Sequence, residues 1–176
     1  MNIKNPLLVP WMVLLLVALP LSAALAQSQQ LTIETDDGKQ TVLSKSEIES
    51  LPRVKVTTPD HDSHDPGSRG HDNPVTFEGV TLKAVLEKAG VEFGHSLRGK
   101  RLASCLLVEA ADDYRVVFAL PEIDSEFTDK QIVLAFLQNG KPLDAKAGPY
   151  RIVIPDEKRM ARWVRQVTKL KIVNAQ

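Results

Sequence analysis

Three dipeptides that favour chain reversal, Asp37-Gly38, Asp112-Asp113 and Asn139-Gly140, cut this sequence into short apolar runs and restrict its fold more than any other feature. Gly, Asn and Asp tolerate the backbone conformations of tight turns at low steric cost. Residues 31–35 and 40–43 alternate on either side of Asp37-Gly38 and are predicted to pair as a hairpin. Ser44 and Glu47 have the spacing of a capping box, which opens a short helix that Pro52 closes. Residues 53–58 alternate and predict a strand; residues 75–77 predict another. A helix is predicted over residues 81–89, where Leu82, Val85, Leu86 and Ala89 share one face and Gly90 ends it.

The second half reads mostly as strand. Residues 102–110 and 114–120 flank the Asp112-Asp113 turn, residues 131–137 run into Asn139-Gly140, and residues 150–154 form an apolar run stopped by Pro155. Over residues 156–173 two periods overlap. Met160, Trp163, Val164 and Val167 fit a helix, whereas Val164, Leu170 and Ile172 fit alternation. One helical turn at residues 157–162 and a strand up to Val173 are predicted. The fold class is α+β: a strand-dominated mixed-sheet domain with two or three short helices.

The N-terminus has the pattern of an export signal. Lys4 precedes an apolar run over residues 7–19, and Ala24-Leu25-Ala26 forms a small-x-small cleavage site before Gln27. A signal peptide over residues 1–26, cleaved after Ala26, is expected to deliver the chain to the periplasm. The run is short for a bilayer span and is marked by Pro6, Pro10 and Pro20, so no stable membrane anchor is expected after cleavage. An uncleaved anchor is the alternative. No Cys follows the cleavage site to carry a lipid, and no Arg pair precedes the run, which points to export of the unfolded chain.

Residues 27–176 are then read as one domain. Lys4 is the one charged residue of the signal, so 21 Lys and Arg face 22 Asp and Glu in the remainder. That balance excludes the basic face of a nucleic-acid binder. The single cysteine, Cys105, excludes an internal disulfide.

Four groups of residues could carry chemistry. His61, His64 and His71 lie in a polar stretch, residues 59–74, with Asp60, Asp62, Asp65 and Asp72. Imidazole and carboxylate suit Zn, Cu or Ni, while a solvated loop or a charge patch titrating near pH 6 would use the same residues. Cys105 stands among apolar neighbours and is expected to be a small buried hydrophobe, with a reactive thiol as the alternative. Ser96, Ser104 and Ser125 lack a nucleophile-elbow context, His95 is expected to be solvated, and Asp156-Glu157 reads as a turn or helix start. Finally, Arg151, Lys158, Arg159, Arg162 and Arg165 gather around Trp163. They form either a solvated face or an anion site, since guanidinium forks fit phosphate and an indole stacks on flat rings.

Several motifs in order carry a family resemblance. They are Phe77-x-Gly79-Val80-x-Leu82, Leu86, Gly90, Asp113-Tyr114 and Asn139-Gly140-Lys141-Pro142-Leu143. Gly148-Pro149-Tyr150-Arg151, Ile154-Pro155 and Arg162-Trp163-Val164 complete the set. From Phe77 to Val173 the chain resembles the molybdopterin-binding domain of sulfite-oxidase-type enzymes. The resemblance implies a mixed α+β domain holding a molybdenum–pterin cofactor, with Arg151 and Arg162 at its phosphate and Trp163 and Tyr114 as further contacts. It also implies oxygen-atom or electron transfer at the metal, with a protein redox partner left undefined.

Catalytic members of that family hold molybdenum through a Cys placed before the Phe-x-Gly-Val-x-Leu segment. Here residues 53–76 contain no Cys, and the His/Asp stretch stands in its place. Cys105 is the one thiol that could substitute. The family's Asp-Gly-Tyr turn is Asp112-Asp113-Tyr114, and its Gly-x-Pro-x-Arg is Gly148-Pro149-Tyr150-Arg151. Three readings stand side by side: a molybdopterin-type oxidoreductase, a periplasmic module binding a small anionic ligand, and a transition-metal protein using the histidine loop.

Overall fold

Burial alternates along most of the strands, and that period sorts the chain into two sheets. The computed structural model describes residues 29–59, 74–155 and 157–174. The expected signal peptide, the histidines at 61, 64 and 71 with their acidic neighbours, and Asp156 lie outside the described residues.

In the first sheet β1 (Leu31–Glu34) and β2 (Gln40–Leu43) form the expected hairpin, with Gly38 at φ 80° in the turn. Leu31 and Ile33 are fully buried, and Thr32 and Glu34 face outward. The sheet order is β2-β1-β10-β5-β6, with β5 (Ser104–Ala110), β6 (Arg115–Ala119) and β10 (Val167–Asn174). β10 runs parallel to β1 and antiparallel to β5, so the sheet is mixed. On its outer face Glu34 receives Lys169 Nζ at 2.6 Å and Lys171 Nζ at 2.8 Å.

The second sheet is antiparallel, in the order β3-β4-β7-β8 with β9 also pairing β7. Its strands are β3 (Arg53–Pro59), β4 (Pro74–Thr81), β7 (Val133–Gln138), β8 (Lys141–Pro142) and β9 (Arg151–Val153). β4 is longer than the predicted 75–77 strand because it has ladder partners on both sides, which local pattern cannot reveal.

Among the described residues two short α-helices complete the fold. Helix α1 (Lys45–Glu49) begins with the expected capping box: Glu47 N donates to Ser44 Oγ, and Ser44 N donates to Glu47 Oε2. Helix α2 (Leu82–Lys88) starts at Thr81, whose hydroxyl accepts from Ala84 N, and it buries Leu82, Val85 and Leu86. One contiguous apolar core joins α2 to both sheets. Two expectations shift slightly. Residues 99–103 form a 3-10 turn before β5, and the turn predicted at 157–162 is a single 3-10 turn, Met160–Arg162. Among the described residues no helix is long and apolar enough to cross a membrane.

Candidate functional site

Strand β9 puts a guanidinium inside the protein. Arg151 is 1 % exposed, and its guanidinium carbon lies 5.3 Å from the Phe77 ring of β4 and 5.5 Å from the Trp163 ring. The two rings meet edge to face, with centroids 6.0 Å apart at 86°. A buried cation between two aromatic faces is held by their quadrupoles and cannot swing freely into solvent. Trp163 is fixed in turn by Nε1 donating to Ile154 O at 3.1 Å.

The tight turn between β5 and β6 supplies the opposite wall. Asp113 takes φ 65° there, and Tyr114 N donates to Asp112 Oδ1, so Tyr114 leaves the turn at a defined angle. Its hydroxyl donates to Ala161 O at 2.5 Å. Between these walls lies a recess of about 260 Å³, lined by Asp112, Tyr114, Arg151, Met160, Ala161, Trp163 and Arg165.

The recess brings together Arg151, Trp163 and Tyr114 from the sequence-derived contacts, but not Arg162. The Arg162 guanidinium is instead shared between Glu157 and both carboxylate oxygens of Glu122, each 3.2 Å from Nη1, and it lies 4.9 Å from the Phe118 ring. Those two carboxylates hold its pKa above the usual arginine value. Arg162, the other expected phosphate contact, does not line this recess: on the 3-10 turn it reaches toward Glu122 and Phe118. Lys158 and Arg159 are exposed and do not line the recess. Asp112, Met160 and Ala161 do line it, and sequence reasoning had given them no role there beyond a turn at Asp112 and helical spacing at Met160.

Cys105 does not reach this site. Its neighbours Ser104 and Leu106 point into the core, so strand parity turns Cys105 to the outer face of the first sheet, between Val173 and Ala119. It is half-buried there, which corrects the expectation of a core residue. Ala110, at the recess end of β5, is five steps along the strand from it, about 17 Å at the strand rise.

The other sequence candidates are also dispersed. His95, Ser96 and Ser125 are exposed, and the buried Ser104 hydroxyl donates to Asn174 Oδ1 at 2.6 Å. Among the described residues no cluster of three His, Cys, Asp or Glu side chains could hold a metal ion.

Two other recesses lack the same chemistry. One of about 440 Å³, with Gln29, Leu143, Pro149 and Gln166 among its lining, carries no cationic side chain. One of about 270 Å³ includes Lys83 and Lys130, but Lys83 is committed to the fully buried Asp124 carboxylate at 2.9 Å and Lys130 pairs with Glu157 at 3.8 Å.

The described residues around Arg151 present binding groups. The recess lining includes the guanidinium groups of Arg151 and Arg165, two aromatic walls and a carboxylate at Asp112. Tyr114 has its hydroxyl proton committed to Ala161, and among the described residues no Cys, His, Ser, Thr or Lys lines the recess.

A family model described as the oxidoreductase molybdopterin binding domain matches residues 18–176. No curated protein matches the sequence. Among solved structures, the sulfane dehydrogenase SoxCD from Paracoccus pantotrophus is similar, with a TM-score of 0.61 at 22% sequence identity. The match covers 84% of this chain and 39% of that one, so the chain spans well under half of the solved neighbour. At that identity the likeness establishes the shared fold.

Proposed function

The chain belongs to the oxidoreductase molybdopterin binding domain family, and from that premise we propose that it is an exported member that binds a small anionic ligand at Arg151. In this reading it does not oxidise a substrate at thiolate-held molybdenum. The observation that carries the reading is the buried Arg151 guanidinium, fixed between Phe77 and Trp163 at the base of a recess that contains no thiol.

The residues present do not fit thiolate ligation of the family's metal. The chain's single thiol lies on the outer face of the first sheet, about 17 Å along β5 from the recess end. The recess, about 260 Å³, is also below the roughly 300 Å³ at which pockets begin to enclose drug-sized molecules. A small oxyanion or carboxylate suits that volume.

Binding follows from the lining. Arg151 meets an anion inside a low-dielectric wall, where a charge-assisted hydrogen bond is stronger than in water. The Tyr114 and Trp163 rings exclude water and offer flat surfaces to an apolar part of the ligand. Because the fold neighbour is a sulfane dehydrogenase, sulfur oxyanions are the first ligands to test.

The test is elemental and pterin analysis of protein taken from the native host, together with thermal unfolding in sulfite, sulfate and acetate. Binding of one of these anions raises the melting temperature by mass action, and Arg151→Lys is expected to abolish the rise. Molybdenum and pterin near one per chain would overturn the reading. Zinc or copper without pterin would instead favour a metal role for His61, His64 and His71.

A further inference from the structure

The recess wall that carries Trp163 has little backbone support of its own. From Glu157 to Arg162 the chain forms no ladder, and its one regular piece is the 3-10 turn Met160–Arg162. Trp163 N donates to Met160 O, which closes that turn on itself, and the tie to a sheet comes only after it, where Val164 O accepts from Ile152 N of β9 at 2.8 Å. Among the described residues, the polar side-chain links that reach this turn from elsewhere include Tyr114 to Ala161 O, Lys130 to Glu157 at 3.8 Å, and Glu122 to Arg162.

The Glu122 link differs from the others. Both Glu122 oxygens lie 3.2 Å from Arg162 Nη1, and Oε1 also accepts Ala119 N at 2.8 Å. The carboxylate is therefore locked to the end of β6 while it grips the wall. Arg162 spans from Glu122 to Glu157, over the Phe118 ring. Neither Glu122 nor Arg162 lines the recess.

We propose that Glu122 is a positioning residue for the recess: acting through Arg162, it sets where Met160, Ala161 and Trp163 stand relative to Arg151. This rests on the anion-binding reading of the Arg151 recess. The cation–π distance between Arg151 and Trp163 is then maintained from β6, a strand that supplies no lining residue. Sites whose outer supports are removed lose affinity while their direct contacts remain.

The test uses the full chain carrying Trp11→Phe, which leaves Trp163 as the single tryptophan. Its emission reports the recess without any ligand, and the probe for binding is inorganic sulfate. Glu122→Gln keeps an acceptor for Ala119 N but removes the charge that grips Arg162. The expected result is a red shift of Trp163 emission and a sulfate affinity lower by roughly tenfold. In an Arg162→Met background the same change should have no further effect on either readout, which a general loss of stability would not produce.

Unchanged emission in Glu122→Gln overturns the positioning role, as does an emission shift that persists in the Arg162→Met background. A parent that ignores sulfate overturns the anion reading alone, because the emission arm still tests the link from Glu122 to Trp163.

Discussion

The guanidinium of Arg151 lies 5.5 Å from the Trp163 ring, and the indole is also held through Nε1 to Ile154 O. The pair is therefore a fixed stack at the base of the recess. Arg151→Lys keeps the charge but loses the planar fork that stacks between Trp163 and Phe77. The variant is expected to lose about 2 kcal/mol, the scale of a desolvated cation–π contact. Urea unfolding measures this, and an unchanged midpoint would show that the rings do not hold the cation.

A buried carboxylate paired with a lysine controls stability at acid pH. Asp124 is fully buried and accepts from Lys83 Nζ at 2.9 Å, Gly94 N at 2.7 Å and Glu126 N at 3.2 Å. Burial alone would raise its pKa, but the Lys83 ammonium and the two amides outweigh burial, and the net direction is below the ordinary 3.8. A depressed carboxylate contributes stability that is complete above the unfolded value and is lost as pH falls through the folded one. The expected loss therefore begins below about pH 4. Asp124→Asn should flatten that acid limb and cost about 2 kcal/mol at neutral pH, near the low end for a broken pair because Lys83 is partly exposed. Denaturation from pH 2 to 7 checks both, and an equal acid limb in the variant would remove Asp124 from the account.

What the sequence revealed, and what it hid, follows from the range of the forces involved. Asp37-Gly38 and Asn139-Gly140 were legible because positive φ is a local demand, and Gly38, Asn139 and Gly140 all meet it. Ser44 and Glu47 were legible for the same reason. Arg151 and Arg162 looked alike because both are arginines near Trp163. What separates them is non-local: pairing with β7 turns Arg151 inward, and Glu122, forty residues before Arg162, draws that side chain outward. Cys105 was misread because Leu106, Leu107 and Val108 are all apolar, so the run gives no parity. Only the pairing of β5 with β6 and β10 shows which face is the core.

Cys105 provides a prediction that separates structure from cofactor chemistry. It sits half-buried on the outer face, remote from Arg151 and Trp163. Cys105→Ser is expected to change stability by less than about 1 kcal/mol, as a substitution away from the core, and to leave anion binding intact. Thermal unfolding with sulfite or sulfate, whichever the parent binds, measures both effects. A lost anion response with stability unchanged would place the thiol in the functional chemistry after all.

Gly79 explains why the Phe77-x-Gly79-Val80 motif needs glycine at its centre. β4 shifts register against β7 between Glu78 and Gly79, bringing the two backbones unusually close there. A Cβ at residue 79 would lie 2.1 Å from Leu134 O and 2.6 Å from Ala135 Cα, and both are backbone atoms of a central strand. No side-chain rotation can relieve that overlap, so Gly79→Ala must push β4 away from β7. Ala135 also pairs with Arg151, so the displacement would pass directly to the strand that carries the recess cation. The expected cost is at least about 3 kcal/mol, at the upper end for overpacking, with loss of the anion response in whatever remains folded. Amide hydrogen exchange is the sharper readout: protection should fall first at Leu134 and Ala135. A variant with parental stability and protection would mean that the β4–β7 contact is looser than these distances require.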